Sequence, residues 1–357
     1  MSVTPPPRHS KVTVAMAGLF CRHHNSYYKI PKQLHHLHRG CSEIPSFLTT
    51  EVRAKNAAWM KTASDRDGGR EMRQTQISEC ILEVKVKHLE NKLSGSNKKT
   101  FAVSTERNLN IQNFFEQSVE DKMKHVTKVD SYYGWIAVER EKLNPERPGD
   151  LKEAVNFNPA DDSDDWPDVE FQQTSMDMFQ RCTKLSQRVC DALSVGVGLR
   201  WCFLRDAHKC AVKKGSATTL RSLYYPPIPE GSPSKPGQIR AGEHSDYGSI
   251  SLVFQDDIGG LEANIPGTGY VPATPISGTV LVNIGDLLQR WTSDKLLATK
   301  HRVVVPENEI GRKKCRQSIV FFFYPDYDYL IKCVDGSDKY DPITGLDYLK
   351  YRYSVTF

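Results

Sequence analysis

Apolar positions along this chain follow two different periods. Between about Thr174 and Val195, Met178, Cys182, Leu185, Val189 and Leu193 recur at three- and four-residue steps. That is one stripe of a helix lying on a sheet. A second, shorter helix is expected around Trp201–Lys209, after Gly196 and Gly198. From Thr218 the runs become short and extended: Leu220–Tyr225, Ser249–Phe254, Gly260–Ala263, Thr279–Ile284, His301–Val305 and Ser318–Tyr324. Turn signals separate them, among them Pro226-Pro227, Asp256-Asp257, Gly259-Gly260 and Pro306-Glu307-Asn308. Short strands set apart in this way predict an antiparallel sandwich or barrel. Helices ahead of strands make the class α+β, with a double-stranded β-helix (jelly-roll) core and flanking helices.

Upstream the pattern weakens. Phe114–Ser118 leads into a short helix with a charged face at Glu120–Lys124, and Tyr132–Val138 reads as a strand. The acidic run Asp161–Asp165 is a solvated loop. Ile81, Leu82, Val84, Val86 and Leu89 fit a helix and a strand equally, and Leu93–Lys99 is a loop. The expected division is a divergent, partly disordered N-terminal region over 1–109 and a folded domain over 110–357, its jelly-roll core at about 218–330.

Composition narrows the class. A 39% hydrophobic fraction suits a soluble globular protein, and a net charge of +5, spread along 357 residues, makes no nucleic-acid footprint. Nine cysteines without a C-x-x-C pair read as reduced thiols. No apolar run reaches the ~20 residues of a membrane span. The first 42 residues hold no Asp or Glu, six Lys or Arg and six of the eleven His. A cytoplasmic protein is expected, with a mitochondrial transit peptide as the alternative reading of that basic start.

The candidate chemistry centres on Ala241-Gly242-Glu243-His244-Ser245-Asp246. On an extended strand His244 and Asp246 leave the same face. His301, 57 residues on, is the best third ligand. Two imidazoles and one carboxylate on one side of a metal leave open positions that suit non-haem Fe(II) and oxygen chemistry. Arg316 and Ser318 share a face of another strand, a guanidinium fork beside a hydroxyl that can hold a carboxylate. His35, His36 and His38 are rival ligands without a nearby carboxylate, and His208 reads as a helix-end residue.

Many segments in order carry a resemblance: Leu220-Arg221-x-x-Tyr224-Tyr225-Pro226-Pro227, Gly242-x-His244-x-Asp246-Tyr247-Gly248, Gly259-Gly260-Leu261-Glu262, Gly278 to Asp286, Gln289-Arg290-Trp291-Thr292, His301-Arg302-Val303 and Arg316-x-Ser318. Together they resemble the Fe(II)/2-oxoglutarate-dependent dioxygenases of the isopenicillin N synthase-like superfamily. The likeness extends more weakly back to about Asn110, through Gly134-Trp135 and Asp150-Leu151-Lys152-Glu153. It implies His244, Asp246 and His301 as ligands of Fe(II). Arg316 and Ser318 would hold the distal carboxylate of 2-oxoglutarate, and Tyr225 matches a tyrosine that contacts this co-substrate in relatives. The implied reaction consumes O2 and 2-oxoglutarate and hydroxylates or desaturates a small molecule, with no nucleic-acid or membrane partner. Phe321, Phe323, Val303 and Trp291 are the candidates for an apolar wall that excludes water. Two other functions fit the same residues: an Fe(II) oxidase that does not use 2-oxoglutarate, and a non-catalytic jelly-roll scaffold. One departure stands out, because the N-terminal strand and Asn-His-Gly turn usual in the family are not found in residues 1–110.

Overall fold

The computed structural model describes residues 13–17, 111–127, 133–144, 146–159, 166–228, 235–276, 279–306 and 313–356. By contacts the chain divides into two units, residues 1–20 with 81–357, and residues 21–80. The second unit lies outside the described residues. So do His35, His36 and His38, the runs at 81–89 and 93–99, the acidic run 161–165 and the expected disorder of the N-terminal region.

Thirteen strands and four α-helices can be named among the described residues. Strands β1 (Thr13–Ala17), β2 (Gly134–Ile136), β3 (Glu153–Phe157), β4 (Thr219–Tyr225), β6 (Ile250–Gln255), β9 (Thr279–Ile284) and β11 (Arg316–Phe323) form one sheet in the order β1-β9-β6-β11-β4-β3-β2. Strands β5 (Ala241–His244), β10 (His301–Val303), β7 (Leu261–Ile265) and β8 (Gly269–Pro272) form a second, antiparallel sheet in that order. A two-stranded ribbon, β12 (Leu330–Ile331) with β13 (Ile343–Thr344), completes the set. The helices are α1 (Val119–Met123), α2 (Val169–Gly196), α3 (Asp286–Trp291) and α4 (Gly345–Thr356). None of them is long and apolar enough to cross a membrane.

The large sheet is apolar on both faces, which explains why its strands read as nearly continuous apolar runs. On one face Leu220, Leu252, Val282, Ile319, Phe321 and Phe323 join the main core with α2. On the other, Leu223, Tyr225 and Val320 meet Ala241, Leu261 and Val303 of the small sheet. Side chains alternate strictly along a strand, so each of β4 and β11 serves both clusters. Helix α2 starts at Val169, five residues ahead of the predicted stripe, because Asp168 caps it by accepting from Phe171 N at 2.7 Å. Its buried line runs through Phe171, Ser175, Phe179, Cys182, Ser186, Cys190 and Leu193. The predicted Met178, Leu185 and Val189 pack beside that line, only partly buried.

Three expectations are corrected. The helix at Trp201–Lys209 is reduced to turns and one 3-10 turn at Arg205–Ala207, because Cys202 has φ of 70°, which a right-handed helix cannot contain. Strands do not simply follow helices, since β3, not expected from the sequence, joins the expected β2 ahead of α2, with β2 paired to β3 and β3 to β4. An edge strand not found in the sequence is present: β1 runs parallel to β9, with Thr13 opposite Thr279.

Candidate active site

His244 closes β5 and His301 opens β10, and the two are direct cross-strand partners. Their rings lie 4.3 Å apart. Each Nδ1 sits against the carbonyl two residues earlier, Gly242 O at 2.8 Å and Thr299 O at 3.0 Å. A carbonyl only accepts, so both Nδ1 atoms carry the proton and both Nε2 lone pairs are left free. Those Nε2 atoms converge on Asp246 Oδ1, at 4.0 Å from His244 and 3.7 Å from His301.

Asp246 reaches this point differently from the sequence expectation. Strand β5 ends at His244, and Asp246 stands in the turn beyond it. It is placed by backbone bonds: Asp286 N donates to Asp246 O at 2.8 Å, and Gly285 N to Ser249 O at 3.0 Å. Asn283 Nδ2 then donates to Asp246 Oδ2 at 2.6 Å, which turns Oδ1 towards the histidines. Burial alone would raise the Asp246 pKa, but His301 and His244 hold it below the usual carboxylate range. Burial, and then His301, push His244 down to about 3, so at neutral pH it is an uncharged ligand. The three donor atoms lie within 4.8 Å of one another. Two imidazoles and a carboxylate, each oriented by a further hydrogen bond, fit a divalent metal on one side. Asn283→Ala should therefore weaken divalent-metal binding ten- to a hundredfold, roughly the cost of losing an outer partner of a ligand. A competition titration against a chelating dye measures this, and unchanged affinity would show that Asp246 needs no such support.

Arg316, Ser318 and Tyr225 lie together. Arg316 opens β11 opposite Tyr225, with its Cζ 4.7 Å from the centre of that ring. It is 1% exposed. Its Nε donates to Gly259 O (2.7 Å), Nη1 to Ser318 Oγ (3.2 Å) and Nη2 to Gln255 Oε1 (3.2 Å). Triad and clamp line one cavity of ≈ 350 Å³ between the two sheets. His208, read from the sequence as a helix-end residue, follows the 3-10 turn and lies outside the cavity, fully buried between Leu204 O and Ser249 Oγ and stacked on Phe323.

Comparison with known proteins agrees with this arrangement. Residues 217–325 match the 2OG-Fe(II) oxygenase superfamily. The 2-oxoglutarate-Fe(II) type oxidoreductase ppzD of Metarhizium rileyi is 31% identical over 268 residues, covering 68% of this chain and 74% of that protein. The chain belongs to the 2OG-Fe(II) oxygenase superfamily. In structure it is similar to a full-length Neurospora crassa protein solved in complex with alpha-KG, with TM-score 0.62, 31% identity and coverage of 71% of this chain and 83% of that one. The same Neurospora crassa protein in complex with alpha-KG and thymine aligns with TM-score 0.61 and 30% identity, over 71% and 85% of the two chains. As a 2OG-Fe(II) oxygenase the protein is an oxidoreductase that uses Fe(II), with 2-oxoglutarate and O2 as co-substrates, on a jelly-roll core.

Two features of this oxygenase depart from the sequence reading. Phe321, Phe323 and Trp291 do not line the cavity; they belong to the core against α2. Arg316 and Ser318 face the site, so the two-residue period of β11 brings Val320 and Phe322 to the wall instead, joined by Val303. The second feature is a buried polar group on the same wall, missed because Arg221 reaches Glu141 across 80 positions. Lys152 Nζ bonds Glu141 (3.0 Å) and Asp150 (2.5 Å), and Arg221 pairs with Glu141. Burial would raise the Glu141 pKa, but Arg221 and Lys152 drive it to about 2. Helix α4 adds Leu346, Leu349, Lys350 and Tyr353 across the cavity.

Proposed function

We propose that this oxygenase hydroxylates or desaturates a small organic molecule, with His244, Asp246 and His301 as its metal ligands and Arg316, Ser318 and Tyr225 as its co-substrate contacts. One observation carries the reading. A triad of oriented donors and a buried guanidinium that meets only uncharged oxygens share one cavity of ≈ 350 Å³. That volume lies within the range of small-molecule pockets. The similar Neurospora crassa protein has been solved in complex with thymine, itself a small molecule.

His244, Asp246 and His301 would hold Fe(II), which would supply oxygen activation, the electrons coming from oxidative decarboxylation of 2-oxoglutarate to succinate and CO2. The protein's own groups do the rest. The Gly242 and Thr299 carbonyls hold both imidazoles in the ligating tautomer. Arg316 presents its fork to the distal carboxylate, and Ser318 adds a hydroxyl at its side. Val303, Val320 and Phe322 keep water from the reacting centre. Arg221 and Lys152 offer polar contacts on an otherwise apolar wall, which suits a substrate carrying oxygen or nitrogen acceptors.

The test needs no substrate. Fe(II) and 2-oxoglutarate are added anaerobically, and the visible band of a keto acid chelated to iron is followed; air is then admitted and succinate measured. Iron uptake with neither band nor succinate would favour the oxidase that does without 2-oxoglutarate. A folded protein that takes up no iron would favour the scaffold. Within this reading Arg316→Ala should leave metal binding intact and weaken 2-oxoglutarate by about 2–5 kcal/mol, the range for losing one partner of a buried charge pair. Calorimetry on the metal-loaded variant measures it, and normal 2-oxoglutarate affinity would remove Arg316 from the clamp.

A further inference from the structure

Arg240, immediately before β5, is a charged side chain that the chemistry above does not use. It is fully buried. Its Nη2 donates to Lys314 O at 3.1 Å, two residues ahead of Arg316, while among the described residues its Nε and Nη1 have no hydrogen-bond partner. Arg316, at the same end of β11, bonds only a carbonyl, a hydroxyl and an amide oxygen. Among the described residues neither guanidinium has a carboxylate in ion-pair contact. Guanidinium does not give up its proton in a protein, so two cations are buried near the start of β11. Burial first, and then Arg316, hold the Arg240 pKa below its ordinary value.

Asp256 is the carboxylate that acts on both. It is engaged elsewhere, accepting from Gln317 N at 2.5 Å and Ile258 N at 3.1 Å. Arg240, Arg316 and Asp256 together carry one net positive charge. Without Arg240 the group would be neutral, and an arriving carboxylate would leave a buried negative charge uncompensated, which is costly in a dry site.

We infer that Arg240 is the second cation of the co-substrate pocket, offsetting Asp256 so that the charge of Arg316 is left for the distal carboxylate of 2-oxoglutarate. This rests on the assignment of Arg316 made above. Arg240 does not line the cavity, so it acts through Arg316 and is a positioning residue.

The test compares two keto acids on the full-length protein loaded with Mn(II) in place of Fe(II). One is 2-oxoglutarate; the other is 2-oxobutyrate, which lacks the distal carboxylate. Arg240→Met keeps most of the side-chain bulk without the charge. It should weaken 2-oxoglutarate at least tenfold in calorimetry while leaving 2-oxobutyrate and Mn(II) affinities unchanged, and Arg240→Lys should restore most of the loss. A filler that only packs behind the clamp would, when replaced, weaken both keto acids alike or neither, and either result overturns the inference. Should Arg240→Met fail to fold, Asp256→Asn tests the same balance with the opposite sign. It should tighten 2-oxoglutarate severalfold, and unchanged or weaker binding would count against Arg240. A wild-type protein with no preference for 2-oxoglutarate over 2-oxobutyrate would instead overturn the assignment of Arg316 itself.

Discussion

Asp246→Ala should give a folded protein that binds no metal at stoichiometric levels. The carboxylate is the only anion among the three donors, and both imidazoles are aimed at it. Removing it leaves two neutral ligands, too few and too weakly charged to hold a divalent ion against water. The fold should survive, because the backbone of Asp246, not its side chain, carries the bond from Asp286 N that shapes the turn. A metal-induced rise in melting temperature separates the outcomes. Wild type should show it with Fe(II) or Mn(II), and the variant should show none, while its metal-free melting temperature stays within a few degrees of wild type. Residual tight binding would mean that the ion sits elsewhere.

Gly285→Ala should be the most damaging single methyl group in the site. A Cβ on Gly285 would run into the Gly248 carbonyl oxygen, lie 2.8 Å from that carbonyl carbon and 3.2 Å from Asp246 O. These are backbone atoms, so no rotamer change relieves the clash. The turn that presents Asp246 would have to move away from α3, breaking the bonds from Gly285 N to Ser249 O and from Asp286 N to Asp246 O. Overpacking of this kind costs about 3 kcal/mol or more. That corresponds to a fall in melting temperature of roughly 10 °C for a domain of this size. Metal affinity should fall with it, because the displaced residue is a candidate ligand. Wild-type stability and metal binding in Gly285→Ala would show that the turn can yield without losing its bonds.

Much of this was legible in the sequence, for a physical reason. Strands β4, β6, β9 and β11 each carry a short apolar run bounded by turn residues, and burial on both faces leaves few ways to misread them. Arg316 and Ser318 could be placed on one face from a two-residue period alone. Asp246 meets His244 and His301 by another route than the one read from the sequence, since β5 ends at His244 and the chain beyond it, not a continuing strand, brings the carboxylate round. What stayed hidden depends on partners distant in sequence. Glu141 finds Arg221 across 80 positions and Asp150 meets Gly242 N across 92, and no local pattern announces either contact. The helix expected at Trp201–Lys209 failed for another reason: a left-handed residue at Cys202 cannot be read from a side chain that is not glycine.

Strand β11 holds its eight residues in strict alternation, one set spent on the core and the other on the cavity. Its tolerance to change is therefore unequal in kind. Substitutions at Val320 and Phe322 can retune what is accepted, while Arg316 and Ser318 keep their place beside the co-substrate and Ile319, Phe321 and Phe323 keep the sheet anchored to α2. A single inserted or deleted residue would exchange the two sets, turning the guanidinium into the core and a phenyl ring into its place. At the apolar positions of this strand, a change of length is therefore costlier than a change of side chain.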